Sequence, residues 1–381
     1  MRENFLVFGA PRISEDEIAE VVAALRSGWI GTGPRVHEFE SRFAEYVGAR
    51  HAVALNSCTA GLHLALKVLG VEPGDEVITT PITWCATANV IVHVGAKPVF
   101  VDVDRRTANI DPAAVRAAVT PRTKAILPVH FAGRACDMDA LGQIARGRGL
   151  RLIEDAAHAV ETTWKGRKVG TLGDAASFSF YANKNITTAE GGMVVTDDPE
   201  AAERMRRLSL HGVSADAWKR FRADGPAIVQ VVEPGFKYNM TDLQAALGLR
   251  QFDKIGRYHQ RREELWNFYQ RELAGLPLIL PAPPDPGCRH AYHLFTVLVD
   301  DSAGIGRHDL RERLKAMNIG TGMHYLALHV QPYYRDAWGY RRGQFPNAEF
   351  ISDRTLSLPF SPAVSDQDAQ DVVDALRAVL A

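Results

Sequence analysis

Short apolar runs alternate with amphipathic segments through the first half of the chain. Apolar runs bounded by polar or turn-forming residues predict buried strands at 52–55, 76–80, 98–102, 125–129 and 150–154. Apolar residues at helical spacing between these runs predict helices at 62–69, 83–94, 111–118 and 137–147. Strands and helices that alternate at this spacing predict an α/β fold with a mostly parallel, doubly wound sheet.

Two helices precede this pattern. A capped amphipathic helix is predicted at 14–26, and a second helix is predicted at 34–47. The turn between them contains a G-x-G sequence at 31–33, but no strand comes before it. A dinucleotide-binding fingerprint requires a strand, a glycine-rich turn and a helix in that order. The pattern therefore speaks against an NAD-type dehydrogenase.

The last third of the chain follows a different pattern. A long helix is predicted after a cap at Thr241 or Asp242, and the proline-rich stretch 277–286 indicates a stiff linker. Beyond the linker, strands are predicted at 293–299, 318–324 and 355–358, with helices at 307–316 and 365–380. We therefore predict a large domain at 1–250 and a smaller C-terminal α+β domain at 251–381. Residues 210–234 show little periodicity and predict a long loop that is functional or lies at an interface.

The totals exclude several classes of protein. The 381 residues carry 44 basic and 45 acidic side chains, so no basic excess indicates a nucleic-acid partner. No apolar run reaches the roughly 18 residues of a membrane span, and the N-terminus lacks an apolar signal region. The four cysteines are widely spaced, which fits a reducing compartment and argues against a zinc site. We expect a cytoplasmic protein without a membrane or metal partner.

Asp155 stands directly after the buried run at 150–154. An acid at the end of a buried parallel strand serves an ion pair, a metal or a cofactor. Only His158 lies at a spacing suited to a shared metal, and no carboxylate cluster accompanies it. A carboxylate opposite a pyridine nitrogen keeps that nitrogen protonated, so that the ring can accept electrons.

Lys184 follows a segment, Ser177 to Phe180, that alternates polar and apolar residues like a half-buried strand. It could be one of many surface lysines. However, its neighbours Asn183 and Asn185 are compact and polar, and a Gly-Gly strand start follows shortly after. A buried lysine has a lowered pKa and can form a Schiff base. With Asp155, it predicts chemistry on a pyridine cofactor.

Two further groups lie at predicted strand ends. Residues 56–61 form a small polar turn before a helix, which predicts either a simple N-cap by Ser57 or Thr59 or an anion site. Ser179 could donate to the same anion. Trp84 follows the strand at 76–80 and could stack on a flat ring, although packing under the loop is the better prediction from position alone.

Motifs along nearly the whole chain carry a resemblance to a known family. They are found at 27–30, 56–63, 82–84, 128–133, 154–158, 177–192, 235–242 and 320–324. With them the chain resembles the DegT/DnrJ-type sugar aminotransferases, which are fold-type-I pyridoxal phosphate (PLP) enzymes. Residues 210–212 and 237–239 are most similar to the subgroup that forms UDP-4-amino-4-deoxy-L-arabinose.

The resemblance implies a set of cofactor contacts. It implies that Lys184 bonds covalently to PLP and moves the proton, and that Asp155 pairs with the pyridine nitrogen. Trp84 would stack on the ring, and His158 would lie near the ring and Asp155. Cys58, Thr59 and Ser179 would hold the phosphate.

The resemblance also implies a dimer and a substrate side. Asn239 would reach the phosphate of a neighbouring subunit, which implies a homodimer with active sites at its interface. His324 and His329 would line the sugar side. Glu161 departs from the family, where a small residue is usual; its charge would either alter the pocket wall or face solvent.

The implied reaction transfers the amino group of glutamate to a nucleotide-linked 4-keto sugar. The presence of Lys184 favours transamination over dehydration, because related dehydratases carry histidine there. Amination at C3, another PLP reaction such as an aldolase or decarboxylase, and a non-catalytic PLP-binding regulator remain alternatives.

Overall fold

The computed structural model describes residues 2–214 and 230–380. Its α-helices are α1 Glu15–Ser27, α2 Pro34–Val47, α3 Cys58–Val68, α4 Cys85–His93, α5 Pro112–Ala118, α6 Met138–Arg148, α7 Pro199–Ser209, α8 Asp242–Asp253, α9 Ile255–Glu272, α10 Arg307–Ala316, α11 Pro332–Trp338, α12 Pro346–Arg354 and α13 Asp366–Leu380. Within the described ranges, no helix is both long enough and apolar enough to cross a membrane. Most of the predicted 210–234 loop lies outside these ranges.

The strands form three sheets. They are β1 His51–Leu55, β2 Glu76–Thr79, β3 Lys97–Phe100, β4 Thr123–Leu127, β5 Arg151–Asp155, β6 Thr163–Trp164, β7 Arg167–Lys168, β8 Ala175–Ser179, β9 Gly192–Thr196, β10 Leu278–Ile279, β11 Thr296–Val299 and β12 Thr355–Ser357. The central sheet has the order β1-β9-β8-β5-β4-β2-β3. Strand β9 pairs antiparallel with both neighbours, and the other pairs are parallel. The predicted mostly parallel α/β sheet is confirmed.

Several predicted elements differ from the structure. Helix α3 begins at Cys58, four residues before the predicted start, because the Ser57 side chain caps it. The long helix after Thr241 is divided at Lys254 into α8 and α9. Residues 318–324 form only isolated bridges, one between Ile319 and Leu6 and one between Gly322 and Ser357. The sequence pattern missed α11, α12 and the β6–β7 hairpin.

The two faces of strand β8 pack against different helices. Phe178 lies on the α2 side, where its ring meets that of Phe43 with a centroid distance of 5.0 Å. Ser177 lies on the other face, and its Oγ donates to the Cys58 carbonyl at 3.0 Å. Because successive side chains alternate across a strand, Ser179 shares the α3 side. This alternation brings the end of β8 next to the start of α3.

Two glycines allow this close packing. A Cβ on Gly192, at the start of β9, would lie 2.4 Å from the Cys58 nitrogen. A Cβ on Gly61 would lie 2.2 Å from the Ser177 Oγ. Both distances are far below a normal carbon contact, so the start of α3 can lie against the sheet only because these positions lack side chains.

The C-terminal part of the chain forms its own layer. Strands β10, β11 and β12 form an antiparallel sheet, and residues of α9, α10 and α13 join it in one apolar cluster. The N-terminal segment adds to this layer, because Leu6 pairs with Ile319 and packs on the same cluster. The division of the chain into domains at residue 250 stays a prediction.

We expect Gly192→Ala to destabilise the fold, because its methyl group would collide with the backbone of Ser57 and Cys58. Forced overpacking costs about 1–3 kcal/mol, and a rigid backbone neighbour puts this change at the upper end. Gly147→Ala in helix α6 is the control, since open space surrounds that position. It should stabilise the protein by about 0.5–1 kcal/mol. Urea unfolding measures both, and equal midpoints would contradict the proposed close contact.

Candidate active site

The predicted site residues lie where several strands end on one edge of the central sheet. Strands β1, β2, β5 and β8 all point in the same direction. Ligands in open α/β sheets bind outside the carboxyl ends of the strands. The turn before α3, the loop at Trp84, Asp155 at the end of β5, and the segment after β8 with Lys184 therefore share one edge.

Asp155 is buried at the end of β5 and held in a fixed orientation. Its Oδ2 accepts a hydrogen bond from the Thr87 hydroxyl at 2.7 Å, and its Oδ1 accepts one from the Ala157 N–H at 3.1 Å. Burial raises the pKa of the Asp155 carboxyl, against the opposing effects of these two donors and of Lys184. The sequence analysis missed Thr87, although Thr83 and Thr87 stand one helical turn apart and hydrogen-bond to each other.

The neighbouring acid, Glu154, forms hydrogen bonds within the protein. It points to the other face of β5, where it accepts hydrogen bonds from the N–H groups of Gly170, Leu172 and Gly173. Its Oε2 also lies 3.0 Å from the His130 Nε2. The hydrogen bonds of Glu154 therefore hold a loop in place, and of these two acids only Asp155 is available to a ligand.

Lys184 supplies the amine of the site, and the pKa of this amine is shifted. Burial lowers the pKa of the Lys184 amine to about 8, although Cys58 and Asp155 act to raise it. Burial raises the pKa of the Cys58 thiol as well, so this thiol is uncharged near neutral pH. Asp155 is therefore the charge that attracts the lysine. Within the described ranges no salt bridge holds the Lys184 amine, which leaves it able to react.

The start of helix α3 confirms the N-cap and leaves room for the anion. The Ser57 Oγ accepts a hydrogen bond from the Ala60 N–H at 3.1 Å. No hydrogen bond between described residues uses the N–H groups of Cys58 and Thr59, so both can donate to a ligand. The Cys58 thiol points inward to the Ser177 carbonyl at 3.5 Å. Cys58 can therefore bind an anion through its main-chain N–H, while its thiol points away.

Trp84 lies in the open. Its side chain is 63 % exposed, so the prediction that it packs under a loop is wrong. The ring lies 6.2 Å from that of Tyr325, centroid to centroid. Both line a cavity of about 890 Å³, together with Met323 and Tyr333. An exposed aromatic face beside a cavity is free to stack on a flat ring.

His158 is a neutral imidazole whose tautomer follows from its contacts. The Ala132 N–H donates to its Nδ1 at 3.3 Å, so the ring hydrogen lies on Nε2 and is donated to the Tyr325 hydroxyl at 3.2 Å. Burial lowers the pKa of His158 well below its usual range, and Lys184 and His324 lower it further. The Tyr325 hydroxyl keeps its own hydrogen for another partner. Tyr325 was missed by the sequence analysis.

His324 and His329 occupy different environments. The His324 Nδ1 lies 2.7 Å from the Ser357 hydroxyl, and burial lowers its pKa to about 3. Lys184 contributes to that lowering, so His324 lies in the electrostatic reach of the site. His329 is fully buried, with its Nε2 3.1 Å from Glu349 and its ring against Phe345. The structure does not bring His329 to the cavity, because a short turn directs its ring into the core.

Ser179 and Asn239 complete the predicted set. The Ser179 Oγ accepts a hydrogen bond from the Tyr181 N–H at 3.4 Å and keeps its own hydrogen to donate. Asn239 donates to the Thr32 hydroxyl at 2.8 Å and lines a second cavity of about 760 Å³ with the exposed Trp29 and Ile30. Asn239 therefore lies at a surface that is separate from the contacts of Lys184.

Comparison with known proteins identifies the class to which this fold and site belong. The chain matches the DegT/DnrJ/EryC1/StrS aminotransferase family over residues 11–377. It belongs to this family and is a PLP-dependent aminotransferase. The predicted resemblance to this family and the predicted PLP cofactor are confirmed.

Individual relatives agree over the full length. The spore coat polysaccharide biosynthesis protein SpsC of Bacillus subtilis is 52% identical over 382 residues, which cover 100% of this chain and 98% of SpsC. The Spr1654 protein of Streptococcus pneumoniae, solved in its PMP form, is 35% identical with a TM-score of 0.92 and 98% coverage of both chains. DesI, solved in the presence of its TDP-sugar product, is 36% identical with a TM-score of 0.88, covering 100% of this chain and 94% of DesI.

The residues present fit PLP. A helix start with unused N–H groups suits a phosphate, and a buried carboxylate at a strand end suits a ring nitrogen. A desolvated lysine suits a covalent bond to an aldehyde, and an exposed tryptophan suits a ring face. The structure brings the first three groups to one sheet edge. In agreement with this, Asp155 and Lys184 both affect the pKa of Cys58, and Cys58 and Asp155 both affect the pKa of Lys184.

We expect the Lys184 amine of the cofactor-free protein to react with an acylating reagent with a half-maximal rate near pH 8. The reason is that burial favours the neutral amine, so the reactive fraction appears at lower pH than for a solvated lysine. Mass spectrometry after labelling at a series of pH values measures it. Lys165 is the internal control, because Asp139 raises its pKa and it should titrate at higher pH. Equal titration of both lysines would contradict the assignment.

Proposed function

We propose that this protein transfers the amino group of glutamate to a nucleotide-linked 4-keto sugar and yields a 4-amino-4-deoxy sugar. The observation that carries the proposal is the Lys184 amine, desolvated and within electrostatic reach of Asp155, at a sheet edge that also holds the exposed Trp84. SpsC is a spore coat polysaccharide biosynthesis protein and DesI was solved in the presence of its TDP-sugar product, so both relatives support a carbohydrate substrate and DesI supports a nucleotide-linked one. A cytoplasmic location stays a prediction.

The chain supplies a separate contact to each part of the cofactor. PLP, when bound, supplies a ring that accepts electrons from the carbon next to the transferred nitrogen. In this proposal Asp155 pairs with the ring nitrogen and Thr87 keeps the carboxylate in place. The N–H groups of Cys58 and Thr59, with the Ser179 hydroxyl, would hold the phosphate, and Trp84 would stack on the ring.

Lys184 moves the proton in both halves of the reaction. With a pKa of about 8, its amine exists in both protonation states near neutral pH. A group of this kind can take a proton from the donor's α-carbon and later deliver one to the sugar carbon. Because one amine acts from one side, donor and sugar must present their carbons to the same face.

The cavity next to Trp84 suits a sugar and a flat ring. Trp84, Tyr325, Tyr333 and Tyr334 line it with aromatic rings, and Asn89, His93 and Gln331 are among its polar residues. No Lys, Arg, Asp or Glu belongs to that described lining. Sugar and base can stack there, but the diphosphate charge needs donors from elsewhere. His324, which lies near Lys184, stays the predicted substrate contact.

We expect glutamate to convert the PLP-bound wild-type enzyme to its pyridoxamine phosphate form, seen as a change in absorbance, with release of 2-oxoglutarate. Lys184→Ala should lose turnover by roughly a thousandfold or more, because no other group delivers the proton. It should also lose the borohydride-reducible bond to the cofactor. A Lys184→Ala protein that retained this bond would overturn the assignment of Lys184.

The second half of the same experiment identifies the acceptor. The pyridoxamine phosphate enzyme is presented with UDP-, dTDP- and GDP-linked 4-keto sugars and with a 3-keto sugar. Return of the PLP absorbance only with 4-keto sugars supports the proposal. Return only with the 3-keto sugar would assign amination to C3, and no return with any of these sugars would overturn the proposed acceptor.

We also propose that the enzyme is a homodimer whose active sites lie at the interface. The apolar surface around the 760 Å³ cavity, with Trp29 and Ile30 about half exposed, supports a contact with a second copy. Asn239 lines this surface. In the dimer it would donate to the phosphate of the partner's cofactor, as the family resemblance implies.

A subunit-mixing experiment tests this arrangement. We expect Lys184→Ala and Asn239→Asp proteins to be weakly active alone, because one lacks the amine and the other repels the phosphate. Refolded together, they should regain about a quarter of wild-type activity, since about half of the dimers are mixed and each mixed dimer has one intact site. Mixing that restores nothing would place Asn239 and Lys184 in the same subunit's site. A Gly147→Ala protein mixed with Lys184→Ala is the control for refolding.

A further inference from the structure

Two threonine hydroxyls form a hydrogen-bonded chain that ends on Asp155. The Thr87 hydroxyl donates to the Asp155 Oδ2 at 2.7 Å, and the Oγ1 atoms of Thr83 and Thr87 lie 2.8 Å apart. Both threonines are buried. In the part of the chain that the structure describes, neither hydroxyl has another hydrogen-bond partner. The two hydroxyls and the carboxylate therefore depend on one another.

The two threonines stand at the start of helix α4. Thr83 precedes the N-cap residue Trp84, and Thr87 lies in the first turn, where its N–H donates to the Trp84 carbonyl at 3.2 Å. Their spacing of four residues, about one helical turn, places the two side chains on the same side. A threonine in a helix often donates its hydroxyl hydrogen to a carbonyl of the preceding turn. Because the Thr87 hydrogen goes to Asp155 instead, its hydroxyl has to be held in that orientation.

The charge of Asp155 determines which hydroxyl donates. An ionised carboxylate only accepts, so the single hydroxyl hydrogen of Thr87 is used toward the Asp155 Oδ2. The Thr87 oxygen can then only accept from Thr83, and the Thr83 hydroxyl has to donate to it. The chain of donors thus runs from Thr83 through Thr87 to Asp155. A protonated Asp155 would instead donate to Thr87 and reverse the chain.

The other two buried acids on or just after β5 are held differently. Glu154 accepts from main-chain N–H groups of a loop. Glu161 is 1 % exposed, so the alternative that it faces solvent is wrong, and its Oε2 accepts from the Asn185 Nδ2 at 2.7 Å. Amide N–H groups have fixed directions, whereas a hydroxyl hydrogen rotates. Of these three acids, Asp155 is the one whose side-chain donor needs a second group to fix it.

We propose that Thr83 is a positioning residue for Asp155, because by donating to Thr87 its hydroxyl keeps the Thr87 hydrogen directed at the carboxylate. In this role Thr83 acts only through Thr87. A hydrogen bond to an ionised group polarises the hydroxyl behind it, so the second hydroxyl strengthens the first bond. The inference rests on the proposed function in taking Asp155 as the partner of the ring nitrogen, which requires an ionised carboxylate.

Other charged and titratable groups also act on Asp155. Burial raises the pKa of the Asp155 carboxyl, and its hydrogen-bond donors, Lys184 and His130 act to lower it. The Cys58 thiol and the Tyr325 hydroxyl are within reach as well, and burial and Asp155 raise the pKa of both, so they are uncharged near neutral pH. The substitutions that test the hydroxyl chain leave all of these groups in place.

Three substitutions test the chain link by link. Thr83→Val keeps the shape of the side chain but removes its hydroxyl, and Thr83→Ser keeps the hydroxyl. Thr87→Val removes the direct donor to Asp155. The measurement is the Asp155 pKa in the full-length, cofactor-free protein, from the infrared band of its carboxyl group in difference spectra against Asp155→Asn at a series of pH values.

We expect the Asp155 pKa to rise by about one unit in Thr87→Val, because the ionised carboxylate loses a charge-assisted donor. It should rise by roughly half a unit in Thr83→Val, since the remaining bond is weaker and less well directed. In Thr83→Ser it should stay within about 0.2 units of wild type, because a donor remains. An unchanged pKa in Thr83→Val, or equal rises in Thr83→Val and Thr83→Ser, would overturn the proposal.

The double variant Thr83→Val/Thr87→Val tests whether the two hydroxyls act in series. Its Asp155 pKa should equal that of Thr87→Val alone within about 0.2 units, because Thr83 has no other route to the carboxylate. Additive shifts would contradict the chain. Melting temperatures measured in parallel show whether each variant is folded. If Thr83→Val does not fold, Thr83→Ala removes the same hydroxyl and takes its place.

A direct contact with substrate is the other role open to Thr83, since it lines the 890 Å³ cavity beside Trp84. Positioning acts on Asp155 in the empty protein, whereas a substrate contact acts on KM. A raised KM for the keto sugar in Thr83→Val, with an unchanged Asp155 pKa, would therefore overturn the positioning role.

The glutamate half-reaction of the PLP-loaded wild type separates this inference from the proposed function. If glutamate converts the wild type but Thr83→Val leaves the Asp155 pKa unchanged, the positioning role fails and the aminotransferase function stands. If glutamate does not convert the wild type, the proposed function fails, and the pKa values of the cofactor-free variants still decide whether Thr83 positions Asp155.

Discussion

Burial of an acid and an amine at one edge of the central sheet is the constraint on which the site depends. Asp155 ends a parallel strand, and Lys184 lies in the segment between two later strands. Each would be ordinary in water, but burial raises the pKa of Asp155 and lowers that of Lys184. Desolvation favours the uncharged form of each group, while their mutual attraction opposes it. This balance keeps the lysine reactive near neutral pH.

The surroundings of this pair are mostly uncharged donors and acceptors. Thr87 orients Asp155, and the imidazoles at 158, 293 and 324, whose pKa values burial lowers, lie within electrostatic reach of Lys184. The charged residues nearby are used for support: Glu154 holds a loop, and Glu161 holds Asn185.

Much of the fold could be predicted because its strands and helices have clear periods and caps. The capping box at Ser14 and the apolar run before Asp155 are local signals, and both were predicted correctly. The start of α3 was placed too late because Cys58-Thr59-Ala60-Gly61 lacks an amphipathic pattern, since Cys58, Ala60 and Gly61 are all small and buried. Helices α11 and α12 were missed because both are too short to show a clear helical period.

The sequence by itself determined the alternation of strands and helices, the family motifs and the candidates Asp155 and Lys184, since these depend on local order along the chain. Only the tertiary structure decided which side chains meet. In the folded chain Trp84 is exposed and His329 is buried against Glu349. Asn185 forms hydrogen bonds with both Glu161 and His293 and so links them. Contacts between residues more than a hundred positions apart, such as Asn185 and His293, follow from sheet order and helix packing, which no local pattern encodes.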